Sequence, residues 1–159
     1  MGIGESDQRF YMITAAGIAK IVAVVVGCAP VALAIILHLQ YLTFERPESY
    51  RHILIEPKQR ELWELAFLCV VAGALGGTLL NLLLYTIFKG LSRNIWTKRF
   101  DCGYFAISGM AQTVVGFIMV GSALTSTAEE WIAMKYAAGF LGIATGIVYW
   151  GAATLTNQD

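Results

Sequence analysis

Apolar residues run along this chain in four long stretches divided by polar segments, and that spacing sets the architecture. Ile21–Leu42 carries no formal charge, Leu62–Phe88 carries only Glu64, Tyr104–Leu124 carries none, and Trp131–Leu155 carries only Lys135. A helix needs about 20 mostly apolar residues to cross the hydrocarbon of a bilayer, so all four qualify. The pattern predicts an all-α fold: one integral membrane four-helix bundle with spans near residues 18–42, 62–88, 103–124 and 131–154. Aromatic residues mark the same limits, because Trp and Tyr favour the two membrane interfaces. Trp63 and Tyr85 lie about 33 Å apart along a helix, and Trp131 and Trp150 about 29 Å, both close to the hydrocarbon thickness.

The first stretch is longer than one upright span. Apolar character continues from Phe10 to Phe44, about 50 Å as a helix, and Lys20 interrupts it. A Lys at a helix centre costs about 2.5–3.5 kcal/mol on the insertion scale. Lys20 is therefore expected near an interface, its ammonium snorkelling outward, with Phe10–Gly17 as a surface-lying or protruding turn. Pro30 then falls mid-membrane, where it frees a carbonyl and bends the helix; a tilted, unbroken helix is the alternative.

The intervening segments set orientation. Thr43–Arg60 mixes both signs, and Pro57 suits an early position of the second helix. Lys89–Asp101 carries Lys89, Arg93, Lys98 and Arg99 against a single acid, whereas Thr125–Glu130 is short and acidic. Basic residues near membrane ends favour the cytoplasm. The dense basic segment therefore places itself and both termini inside, in a plasma or inner membrane. Within it Trp96, Lys98 and Arg99, with Lys89 and Arg93, suit an anchor on anionic lipid headgroups, each basic residue being worth about 1 kcal/mol near the surface.

Composition agrees with this frame. The chain is 57% hydrophobic and 14% charged, roughly half the charge a soluble surface usually carries. Eleven basic and eleven acidic residues cancel, which leaves no electrostatic case for nucleic acid. The acidic start MGIGESDQRF lacks a basic n-region, so no cleaved signal peptide is expected. Of three cysteines, Cys28 and Cys69 lie in apolar runs, which argues against a disulfide framework.

Small residues at helical spacing are the clearest local feature. Gly73, Gly77 and Asn81 share one face of the second helix, and Ala138, Gly142 and Gly146 share one face of the fourth. Such faces let helix backbones approach closely in lipid, within one bundle or between subunits. Ala72-Gly73-Ala74-Leu75-Gly76 and Ala138-Gly139-Phe140-Leu141-Gly142 each follow a Trp and precede a Tyr. Two related hairpins would explain this, and so would coincidence in an Ala- and Gly-rich chain. In the third helix Ser108, Gln112 and Gly116 recur every four residues with Thr113 alongside. That stripe is either structural, with Gln112 bonded to another helix and Asn81 as the expected partner, or the lining of a path.

Catalytic constellations are thin. No acid falls deep within a predicted span, which argues against a proton relay. His38 and His52 lie at different places and make a poor haem or metal pair, so no cofactor or metal is expected. Ser49, Glu48 and Glu45 near His52 share one short loop without a scaffold to position a triad. The Gly-rich loop with Lys-Ser or Lys-Thr that P-loop nucleotide hydrolysis requires does not occur. The sequence points to a non-enzymatic multi-pass membrane protein that works by association with itself or with other membrane subunits, and with lipid. The alternative is a small oligomeric channel or transporter with a path near Asn81, Gln112 and Thr113.

Overall fold

The computed structural model describes residues 14–43, 57–88, 95–125 and 129–158. They form four helices, α1 (Ala15–Thr43), α2 (Pro57–Ile87), α3 (Ile95–Leu124) and α4 (Glu129–Gln158). All four are long and apolar enough to cross a membrane. Thr14 caps α1, its hydroxyl accepting the Gly17 N–H at 3.1 Å, which satisfies a donor the first turn leaves orphaned. α1 continues without a break through Pro30, which lies on its buried side. Ala16 and Gly17 belong to this helix and are buried, so they do not protrude; Phe10–Ile13 and His52 lie outside the described residues.

The largest departure from the expected spans is at α3. It begins at Ile95, not near residue 103, and so takes Trp96–Asp101 out of the preceding segment and into its first two turns. Polar residues end an apolar stretch without ending a helix, because Lys, Arg and Asp remain compatible with helical backbone when their side chains find partners. α4 likewise begins earlier, at Glu129, whereas α2 begins at Pro57, the early helical position read for it from the sequence.

Each helix turns a narrow stripe inward. In α1 the seam is Ala16, Lys20, Ala23, Gly27, Pro30, Ala34 and Leu37, alternating by four and three, with Gly17 buried beside it. Glu64, Phe67, Val71, Ala74 and Thr78 follow in steps of three and four in α2, with Tyr85 two turns on, and Asp101, Phe105, Gly109, Gln112, Gly116, Met119 and Ala123 keep to steps of three and four in α3. This is the seam spacing of helices that pack side by side. α4 buries a wider face, with Gly139, Gly146 and Ala153 beside the seam.

α3 and α4 pack most intimately, followed by α1 with α4, α1 with α2, and α2 with α3. The helices therefore stand at the corners of a square in chain order, with α1 and α3 on one diagonal and α2 and α4 on the other. The α3–α4 contact rests on two reciprocal glycine crossings. A Cβ on Gly116 would lie 2.8 Å from the Gly139 carbonyl oxygen, and one on Gly139 equally far from that of Gly116. Gly109 and Gly146 repeat the arrangement two turns away, at 2.9 and 2.8 Å. Only glycine permits backbones this close.

Candidate functional site: charge pairs across the bundle

Among the described residues two ion pairs lie inside the bundle, and each joins a diagonal. Lys20 of α1 reaches Asp101 of α3 at 2.7 Å, with the two side chains 0% and 1% exposed. Lys135 of α4 reaches Glu64 of α2 at 2.6 Å, at 2% and 7% exposed. Along α2 the levels of the two pairs, at Glu64 and Asn81, are separated by about 26 Å. One pair thus sits toward each end of the bundle.

The Lys20 end is the richer. Asp101 accepts hydrogen bonds on Oδ2 from Lys20 Nζ and from the Tyr85 hydroxyl, and on Oδ1 from Asn81 Nδ2. Asn81 in turn accepts from Lys20 Nζ at 3.1 Å. The Lys20 ammonium also stands 4.1 Å from the centre of the Tyr85 ring and 5.4 Å from that of Phe105, distances at which the ring faces attract a cation. An isolated charge in such surroundings would be expensive. Here both charges are paired and the carboxylate is held by three donors from two other helices, the form in which a buried pair is tolerated.

This overturns the expectation that Lys20 snorkels. Its side chain is entirely buried, because an acid on the diagonal helix offers a stronger partner than interfacial water. Asp101, assigned from sequence to a connecting segment, is a buried helical residue. Asn81 does not bond Gln112; its amide is committed to Lys20 and Asp101. Both halves of the cluster carried a signal in the sequence. Lys20 is the one charge within the first long apolar run, and up-and-down connectivity brings the head of α1, the tail of α2 and the head of α3 to one end.

Toward the middle, three hydroxyls converge on one backbone carbonyl. Tyr104, Tyr149 and Thr78 lie 2.8, 3.0 and 2.7 Å from the Ala74 oxygen, and Thr78 and Tyr149 contact each other at 2.8 Å. Gln112 is buried nearby, its amide oxygen without a hydrogen-bond partner. Beyond this level Leu37, Phe67, Val71, Met119 and Ala138 close the core with apolar side chains, and the Glu64–Lys135 pair lies on their far side.

The small-residue faces divide. Gly77 abuts Tyr104, whose ring carbon Cζ would lie 2.8 Å from an added Cβ, whereas Gly73 and Gly76 meet nothing within 4 Å. Gly142 faces the Phe67 ring, Gly146 faces α3, and Ala138 is fully buried. Ser108 and Thr113 are half-buried, and Thr113 donates to its own helix at the Gly109 carbonyl, 2.8 Å away. At the head of α3, Trp96 and Phe100 are exposed, Lys98 is half-buried, and the Arg99 guanidinium lies 5.8 Å from the Trp96 ring. Lys89 and Arg93 lie outside the described residues. Among the described residues no three His, Cys, Asp or Glu side chains come together, and Cys28, Cys69 and Cys102 are free thiols.

In comparisons with protein-family models, curated proteins and solved structures, nothing matches this chain.

Proposed function

We propose that the chain is a non-enzymatic multi-pass membrane protein that acts by association, as a homo-oligomer or as a subunit of a larger membrane complex. The observation that carries this reading is the disposition of its polar groups. Its buried charges answer one another across the diagonals, while the outward side of α2 offers a seam of Leu62, Leu65, Cys69, Gly73, Gly76, Leu80 and Leu83, all exposed. Open space over Gly73 and Gly76 is the surface on which a further helix could approach closely. In nanodiscs the wild-type particle is expected to hold more than one chain or a bound partner subunit, and Gly73→Leu with Gly76→Leu to reduce it to a single folded chain. A wild-type particle containing one chain and nothing else rules the reading out.

The second reading, a small channel or transporter, is favoured by Gln112, because a buried amide oxygen without a donor is the kind of group a passing solute could satisfy. The same reconstitution separates the two. Vesicles bearing the protein should show no flux above protein-free vesicles, and Gln112→Leu should assemble with unchanged or slightly raised stability, since it removes an unsatisfied group. A wild-type flux that Gln112→Leu abolishes would promote the channel.

The basic segment supports an orientation with both termini and the Lys20–Asp101 end in the cytoplasm. With native cysteines replaced, cysteines introduced at Ser49 and Asn94 should react from opposite sides. Labelling of Ser49→Cys from the cytoplasm reverses the orientation.

A further inference from the structure

Trp96 and Phe100 stand one turn apart on α3, 76% and 73% exposed, with Arg99 between them. The three, with Thr97, line a shallow depression at the head of the helix. The Arg99 guanidinium lies 5.8 Å from the centre of the Trp96 ring, within reach of its π-face, and its planar fork offers several donors to an anion. Below the depression the same outward side of α3 continues through Ile107, Met110, Val114 and Phe117, all at least half exposed. No acidic side chain occupies the first turn of the helix. A cation at the top, aromatic side chains beside it and an unbroken apolar track beneath match one molecular plan, an anionic head on hydrocarbon chains.

We infer that this face binds an anionic phospholipid, its phosphate against Arg99 and Thr97, its glycerol region against Trp96 and Phe100, and an acyl chain along Ile107 and Met110. The inference rests on the membrane reading above and deepens the anionic headgroup anchor expected from the sequence, adding a position for the lipid and a track for its acyl chain. Charge complementarity selects the occupant: a zwitterionic lipid presents the same chains but balances the phosphate with its own ammonium, so the Arg99 contact gains less. A soluble phosphate lacks the part of the ligand that the apolar track would hold.

The test uses the folded chain with Trp96 as its sole tryptophan (Trp63, Trp131 and Trp150→Phe), reconstituted with brominated phosphatidylglycerol or brominated phosphatidylcholine. Quenching of Trp96 should be stronger with the anionic lipid. Arg99→Gln should reduce the preference about fivefold, the equivalent of ~1 kcal/mol, while Arg99→Lys retains part of it. Native mass spectrometry of the unaltered chain should retain phosphatidylglycerol over phosphatidylcholine, which covers the case in which the tryptophan replacements impair folding. Equal quenching by the two lipids, a preference indifferent to Arg99→Gln, or displacement of the lipid by glycerol phosphate would each overturn the lipid assignment. Trp96 untouched by either lipid, in a chain that fails to enter the vesicles, would overturn the membrane reading with it.

Discussion

Lys20→Met is expected to destabilise the bundle by about 3–5 kcal/mol, the usual consequence of leaving one partner of a buried ion pair alone. The substitution keeps most of the side-chain length, so packing against Tyr85 and Phe105 is largely conserved. What it removes is the ammonium that meets Asp101 at 2.7 Å. Asn81 and Tyr85 would still donate to the carboxylate, but no cation would balance it. Asp101→Leu should be comparably damaging, because it removes the carboxylate that pairs with Lys20 and accepts from Asn81 and Tyr85. The informative variant is the double one. Lys20→Met with Asp101→Leu removes both charges together, and replacing a buried pair by apolar residues is often neutral or better. It should therefore recover much of the loss, less the cost of the two hydrogen bonds that Asn81 and Tyr85 give up. Chemical unfolding in mixed micelles measures all three. A double variant as unstable as the sum of the singles would mean the two charges do not act as a pair.

The diagonal placement gives these charges a second role that the same cycle probes. Neighbouring helices of the square are held by seams of small and apolar residues, and such seams tolerate more than one arrangement. An ion pair tolerates far fewer, since a wrong neighbour leaves a charge unmet. With a Lys on α1 and another on α4, and acids on α3 and α2, each basic helix has its acid across a diagonal, at opposite ends. The alternative pairings would put Lys20 and Glu64, or Lys135 and Asp101, at different depths. The charges thus favour one order of helices around the core, a specificity role of the kind that buried polar groups serve in coiled coils.

The sequence made the four helices legible because length and apolar content are one-dimensional properties. The inward faces were harder to read, for a physical reason. Outward residues such as Val25, Leu80, Ile107 and Phe117 are as apolar as the core, so hydropathy does not separate the two sides; what distinguishes the inside is smallness and stray polarity. Gly142 and Gly146 stood out on that basis and do meet a neighbouring helix. Gly116 was read as part of a polar stripe and Gly139 only as part of a repeat, because their reciprocal contact depends on the antiparallel register of α3 and α4. The charge cluster was missed for another reason. A rule that keeps charges out of spans treats Lys20 and Asp101 as limits, and only a three-dimensional pairing turns them into interior groups.

That register underlies the second large effect. Gly116→Leu should destabilise by about 3 kcal/mol or more, the upper part of the range for overpacked interiors. The first added carbon already falls 2.8 Å from the Gly139 carbonyl oxygen and 2.9 Å from the Ile143 nitrogen. These are backbone atoms of a packed helix, and they cannot swing aside as a side-chain end would. The remaining carbons of Leu would have to part α3 from α4 along their most intimate contact, breaking the Gly109–Gly146 crossing two turns away as well. Gly116→Ala, which adds only that first carbon, should fall between wild type and Leu. Gly121→Leu supplies the comparison on the same helix, since a side chain there meets nothing within 4 Å, and it should leave the stability of the isolated chain nearly unchanged. Melting of the three variants in one detergent decides the matter: if Gly116→Leu and Gly121→Leu melt together, the two helices do not meet at these glycines.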